Sequence, residues 1–178
     1  MEIMNKVKFD PNNPHIRTFT DKRFYFLNVL PESICIEDIA HSLAHTCRYG
    51  GHCQSYYSVA EHSIVCSNRV DRSVALWGLL HDAAEAYIGD LCKPLKSMLS
   101  IRAGCGCQED ISNYEHNILR VIVDKFGLSW PMPQEVIDMD RTLLYEEMEF
   151  LWSGTSWMLL DPLDAEQLFL SRFNDLIQ

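Results

Sequence analysis

Apolar residues recur at steps of three and four through most of this chain, the period of helices that bury one face. Residues 36–47 carry the first such pattern, and Gly50-Gly51 breaks it. Ser58, with Glu61 three residues later, is the signature of a capping box and opens a helix predicted to reach about residue 70. Asp71 can cap a further helix that runs to about residue 87, where Gly89 stops it. A short helical turn is predicted over 94–99, a loop over 102–108, and a long helix over 109–126 that ends at Gly127. Two more helices follow, over 133–152 and from Asp161-Pro162 to near the C-terminus. The start of the chain differs. Residues 16–20 and 23–27 are β-prone segments separated by Asp21-Lys22, a pattern for a short hairpin. The expected fold is all-α, a helical bundle with a short N-terminal β-hairpin. Residues 1–178 read as a single domain, with 1–33 as an N-terminal extension or hairpin and 34–178 as the helical core.

Several polar groups sit where this pattern expects apolar ones. The stretch Trp77-Gly78-Leu79-Leu80-His81-Asp82-Ala83-Ala84-Glu85 sets a His-Asp pair inside an apolar run. An unpaired buried carboxylate is costly. A metal ion satisfies imidazole and carboxylate together, although the pair alone selects no particular metal. Val74, Trp77, His81, Glu85 and Ile88 share one helical face, so His81 points inward or into a cleft with Glu85 one turn further on. His62 lies on a stripe with Val59, Val65 and Cys66, and Asp140 on one with Val136, Ile137, Leu143 and Leu144. Bundles build metal sites from facing helices in this way. One histidine on an apolar face is more often a hydrogen-bonded core residue. The order His, His-Asp, Asp across several helices is more specific.

Other polar residues receive plainer readings. His41 and His45 are spaced i, i+4, but the residues between them are not those of a zincin, so they are read as structural. Glu146, Glu147 and Glu149 read as a solvated helix face, and Trp130, Trp152 and Trp157 as core or subunit contacts. The net charge of −10 excludes general binding to a nucleic-acid backbone. No apolar run approaches the roughly 20 residues that span a membrane, and the first residues lack the apolar core of a signal peptide, so a cytoplasmic protein is expected. The seven cysteines are read as reduced thiols. Cys105-Gly106-Cys107 is spaced too tightly for a zinc knuckle and is placed in a loop.

Taken together, several segments resemble the HD-domain metal-dependent phosphohydrolase superfamily. They are Ile36-Glu37-Asp38-Ile39-Ala40-His41, Cys47-Arg48-Tyr49-Gly50-Gly51-His52, Ser58-Val59-Ala60-Glu61-His62-Ser63, the run from Leu80 through His81-Asp82 to Gly89-Asp90, Pro94-Leu95-Lys96, and the helix bearing Asp140. The similar branch holds the phage dATP triphosphohydrolases and the bacterial HD-type 5′-deoxynucleotidases. The resemblance implies a compact helical domain that forms a homo-oligomer, dimer or hexamer. It implies a divalent metal ion (Zn, Co, Mn or Mg) held by His62, His81, Asp82 and Asp140. It places Glu85 beside the catalytic water and Asp90 in proton transfer, with Arg48 and Lys96 on phosphate and Tyr49 lining the nucleoside pocket. His52, in the glycine-rich loop after Arg48, is a further candidate for phosphate contact. The expected reaction is metal-dependent hydrolysis of deoxynucleotides, dATP first, releasing deoxyadenosine. The alternatives are a broad deoxynucleoside 5′-monophosphatase and a nucleotide-binding module without turnover. The link from His62 to His81 is shorter than in the nucleotidases, and residues 101–108 depart from the family.

Overall fold

Capping residues set where the helices begin. In the computed structural model, which describes residues 13–102, 108–153 and 159–178, Ser58 Oγ accepts the Glu61 N–H at 3.0 Å and starts α2 (Val59–Arg69). The Glu61 carboxylate does not close the capping box. It accepts the Leu160 N–H at 3.3 Å instead, tying α2 to the segment before α8 (Pro162–Leu176). Asp161 caps α8 by accepting the Asp164 N–H, with Pro162 in the first turn. Cys105, Cys107 and Trp157 lie outside the described residues.

The remaining elements, in chain order, are strands β1 (His15–Arg17) and β2 (Arg23–Tyr25), then α1 (Ile36–His45), and after α2 the short α3 (Ala75–Leu80), α4 (Glu85–Ile88) and α5 (Lys93–Lys96). Strands β3 (Ser100–Arg102) and β4 (Gln108–Asp110) lead to α6 (Ile111–Lys125) and α7 (Gln134–Ser153). The mostly helical architecture and the N-terminal hairpin agree with the sequence pattern. β1 and β2 are antiparallel, with Ile16 opposite Phe24. Gly127, at φ 76°, ends α6 in a Schellman arrangement, with Leu128 N–H reaching the Val123 carbonyl at 2.8 Å.

Two expectations change. The single helix expected to reach about residue 87 is two, α3 and α4, joined by a tight turn over 81–84. There the backbone bonds shorten to i−3, from Ala83 N–H to Leu80 O and from Glu85 N–H to Asp82 O. Apolar periodicity reports which side is buried and not whether each bond closes one residue early. Asp71 correspondingly caps a turn, accepting the Ser73 N–H, and α3 begins at Ala75. The loop expected over 102–108 is flanked by paired strands, with Ile101 opposite Glu109.

The core joins α1, α2, α3 and α8 with Phe24 of β2, whose ring stacks on Tyr87 at 3.9 Å. Gly78 matters here. A Cβ at this position would stand 3.0 Å from the Ser67 Cα, so glycine is what lets α3 lie directly against α2. That close approach carries the end of α3 toward His62. Among the described residues, no helix is long and apolar enough to cross a membrane.

Candidate metal centre

Three elements converge on one small volume. His62 is fully buried on α2, His81 and Asp82 stand in the turn after α3, and Asp140 projects from α7. The two Nε2 atoms of His62 and His81 are 3.2 Å apart. Asp140 Oδ1 is 3.1 Å from His62 Nε2 and 3.8 Å from His81 Nε2. Asp82 Oδ2 is 3.3 Å from His81 Nε2 and 3.7 Å from His62 Nε2. Two ligands held about 2.0–2.1 Å from one zinc ion at a tetrahedral angle stand roughly 3.3 Å apart. These spacings are those of neighbouring ligands around one cation.

The other ring nitrogens strengthen that fit. His62 Nδ1 donates to Glu147 Oε1 at 2.6 Å, and His81 Nδ1 donates to the Gly78 carbonyl at 2.8 Å. When both rings are neutral, each contact leaves Nε2 with its lone pair, and the two lone pairs face each other. A shared cation resolves that repulsion, so His62, His81 and Asp140, with Asp82 beside them, can hold a metal ion. The electrostatics favour positive charge at this point, carried by a proton or by a metal ion. Burial opposes a charge on Asp82 and Asp140, yet the imidazoles hold both carboxyls well below their usual range. Burial disfavours the His81 cation, yet Asp82 and Asp140 hold that imidazole well above its ordinary value. The Asp140 side chain is 45% exposed, so the ligand set opens on that side.

Glu147 organises the space behind the ligands. It is fully buried. Besides His62, it accepts from Arg48 Nε at 3.1 Å, from the Tyr49 hydroxyl at 2.7 Å and from the Tyr57 hydroxyl at 3.0 Å. This corrects the solvated reading of Glu147. Glu147 lies seven residues beyond Asp140 and four beyond Leu143, on the inward stripe of α7. The same stripe argument that identified Asp140 would have found it. Burial and the Glu147 charge push the Tyr57 and Tyr49 hydroxyls up, while burial is outweighed at Arg48 by Glu147 and Asp82, which hold its guanidinium firmly charged.

Arg48 is buried, with Nη1 3.5 Å from Asp82 Oδ2. It opens a tight turn, Arg48–Gly51, in which Tyr49 and Gly50 both have left-handed backbones, with φ 58° and 60°. Such a conformation is uncommon for a tyrosine. Both ends of Tyr49 are held, the amide by Asp90 Oδ2 at 3.1 Å and the hydroxyl by Glu147. Asp90 therefore braces the turn that carries Arg48. The Trp152 ring meets the Tyr49 ring edge-on at 5.0 Å. Trp152 and Trp130 are 43% and 39% exposed, so neither is a core residue. His52 is exposed at the end of the turn, and among the described residues its ring makes no hydrogen bond to the cluster.

A cavity of about 530 Å³ adjoins the ligands, bordered by His81, Asp82 and Asp140 and by Lys93, Lys96 and Glu115. Lys96 Nζ lies between two carboxylates, 3.1 Å from Glu85 Oε1 and 2.7 Å from Glu115 Oε1. The other Glu85 oxygen is buried and without a hydrogen-bond partner among the described residues. Burial, with the charges of Asp82 and Asp90, outweighs Lys96 and holds the Glu85 carboxyl well above its usual range. Glu115 was not singled out in the sequence. It falls between Ile111 and Ile118 on the stripe that α6 buries, a signal as legible as that at His81.

No family model matches the chain. The Escherichia coli K12 protein YfdR, itself uncharacterized, is 35% identical over 177 residues, covering 90% of this chain and 94% of its own length. The chain belongs to the YfdR family. An uncharacterized protein of Rhodobacter capsulatus is 37% identical over 92 residues, 47% of either chain. Neither relative's name carries an activity.

Proposed function

We propose that the chain is an HD-type, divalent-metal-dependent phosphohydrolase of deoxynucleotides, with dATP the leading substrate and deoxyadenosine the product. One observation carries the reading. Two carboxylates each lie within 4 Å of both His62 Nε2 and His81 Nε2, beside an open cavity lined by lysines. When bound, a divalent ion supplies Lewis acidity toward a phosphoryl oxygen and makes hydroxide available near neutral pH. The chain's own residues supply the rest. Phosphoryl transfer needs mainly positioning and charge stabilisation. Lys96 and Lys93 bring positive charge to the cavity, and Arg48 Nη1 lies against Asp82 at its rim. Glu85, raised and partly unpartnered, is suited to hold or pass a proton. Tyr49 offers a ring for sugar or base.

A second reading, a deoxynucleoside 5′-monophosphatase, draws on one specific feature. Lys96 is already ion-paired with Glu115, so the cavity has little surplus positive charge for a triphosphate chain. Purified protein supplied with Mn²⁺, Co²⁺, Mg²⁺ or Zn²⁺ and screened against nucleoside mono-, di- and triphosphates tests both. Release of inorganic triphosphate supports the first, and orthophosphate from monophosphates supports the second. Absence of turnover with every metal and nucleotide would leave a binding module without catalysis.

A further inference from the structure

A second group of ligand-type side chains lies away from this centre, on the outer face shared by α1 and α8. We propose that His41, His45 and Glu166 form a second metal site, one that takes a borderline ion such as Zn²⁺ and pins α1 to α8. One ligand atom from each residue lies within 4.8 Å of the others. His45 follows His41 by one helical turn, and their ring centroids are 4.2 Å apart. His45 Nδ1 donates to the His41 carbonyl at 2.8 Å, which fixes the ring and leaves the Nε2 lone pair outward. An orienting bond of this kind is the usual companion of a metal-bound imidazole.

Glu166 reaches across from α8, with Oε2 2.8 Å from His41 Nδ1. The His41 ring is further held by Phe19, stacked on it at 3.8 Å with the planes 9° apart. A simple His41–Glu166 ion pair accounts for two of these residues. A metal ion in place of the proton between His41 and Glu166 would also take in His45, which has a ligand atom within 4.8 Å of both. Two imidazoles and one carboxylate form a three-ligand set with an open position, a combination that suits zinc. A cavity of about 420 Å³ lined by Phe19, His41 and His45 leaves room there for water or a small anion. The inference stands on these contacts alone and does not depend on the reaction proposed for the buried centre.

The test counts metal. Protein stripped with a chelator is dialysed against low-micromolar Zn²⁺, and bound zinc per chain is measured for wild type, His45→Ala, Glu166→Gln and His81→Ala. His45→Ala and Glu166→Gln should each bind one ion fewer than wild type. His45 is exposed, so its replacement leaves the fold in place. Zinc should raise the melting temperature of wild type more than that of His45→Ala, because an ion bound only to the folded chain stabilises it. The long-range ¹H–¹⁵N spectrum should show the His45 Nε2 resonance shifted by zinc. Equal counts for wild type and both outer-face variants would overturn the site. The comparison of wild type with His81→Ala reads the buried centre separately, so either site can fail without the other.

Discussion

The two histidine clusters of this molecule use similar ligands in opposite surroundings. At the buried centre, His62 and His81 are at most 5% exposed, and each ring is locked through Nδ1 to a buried acceptor. On the outer face, His45 is exposed, and its ring is locked only to the backbone of its own helix. The buried set brings two carboxylates and two imidazole nitrogens, so a divalent ion that takes the place of the ring protons cancels its charge. The outer set carries one carboxylate and stays positive around the same ion. Neutrality suits a centre kept out of water, where uncompensated charge is costly. Excess charge is tolerable at a surface. The buried cluster also opens onto a cavity lined by two lysines, whereas no lysine lines the cavity beside the outer cluster. On the proposed readings, the buried site is organised for chemistry and the outer one for holding two helices.

Removing a ligand from each cluster gives the widest contrast. His81→Ala or Asp82→Ala should lose tightly bound metal at the centre and nearly all nucleotide turnover, with the helical circular dichroism largely kept. His45→Ala should leave turnover near wild type. If the His81 variant turned over fully in metal-depleted buffer, the buried cluster would not be the reacting centre. Next in size is Glu85→Gln. It should retain metal and nucleotide binding while turnover falls by roughly 10²–10⁴-fold, the usual range for general acid–base catalysis. Loss of metal from that variant would reassign Glu85 to ligand support.

Why these residues could be named in advance, and others not, follows from how each is placed. The sequence pattern sets His62, His81 and Asp140 on apolar helical stripes, and periodicity points such side chains inward, while Asp82 is marked by its place beside His81 within the apolar run. The helices themselves carry local caps at Ser58, Asp161 and Gly127, so most boundaries were legible. Glu147 was misread because it sits in a run of acids that looks solvated until its spacing from Asp140 is counted. The break between α3 and α4 was not legible, because the apolar pattern continues through the turn that aims His81 and Asp82. The pairing of Lys96 with Glu115 links residues whose elements meet only in the folded chain. Arg48 was expected on phosphate. Its bond to Glu147 comes from a helix nearly a hundred residues away, which no local pattern announces.

Glu147 tests whether the buried centre depends on the shell behind it. Glu147→Gln leaves the Arg48 guanidinium without its closest buried carboxylate and weakens the hold on His62. Unfolding in urea should show a loss on the order of 3 kcal/mol, the scale for breaking a buried ion pair from one side. Affinity for metal should fall by about 10–100-fold, the range seen when a partner behind a ligand is removed. The outer cluster has no such support, so its zinc affinity should not change in this variant. A normal metal affinity would show that the Gly78 and α2 contacts suffice to aim the imidazoles.

The smallest effect concerns pH. Burial lifts the Glu61 carboxyl from its ordinary 4.5 to about 7, with the Leu160 N–H pulling it down and the Glu147 charge pushing it up. The folded chain therefore binds this proton more tightly than the unfolded chain does. The resulting stability is fully present below about 4.5 and is lost as pH rises through about 7. Glutamine at this position keeps an oxygen for the Leu160 N–H and has no proton to lose. Urea midpoints of wild type and Glu61→Gln should agree at the acid end of this window and diverge toward its neutral end, with the variant the more stable. Parallel curves would mean that the Leu160 bond holds the carboxylate charged throughout, and that burial near the centre acts on its ligands without reaching the start of α2.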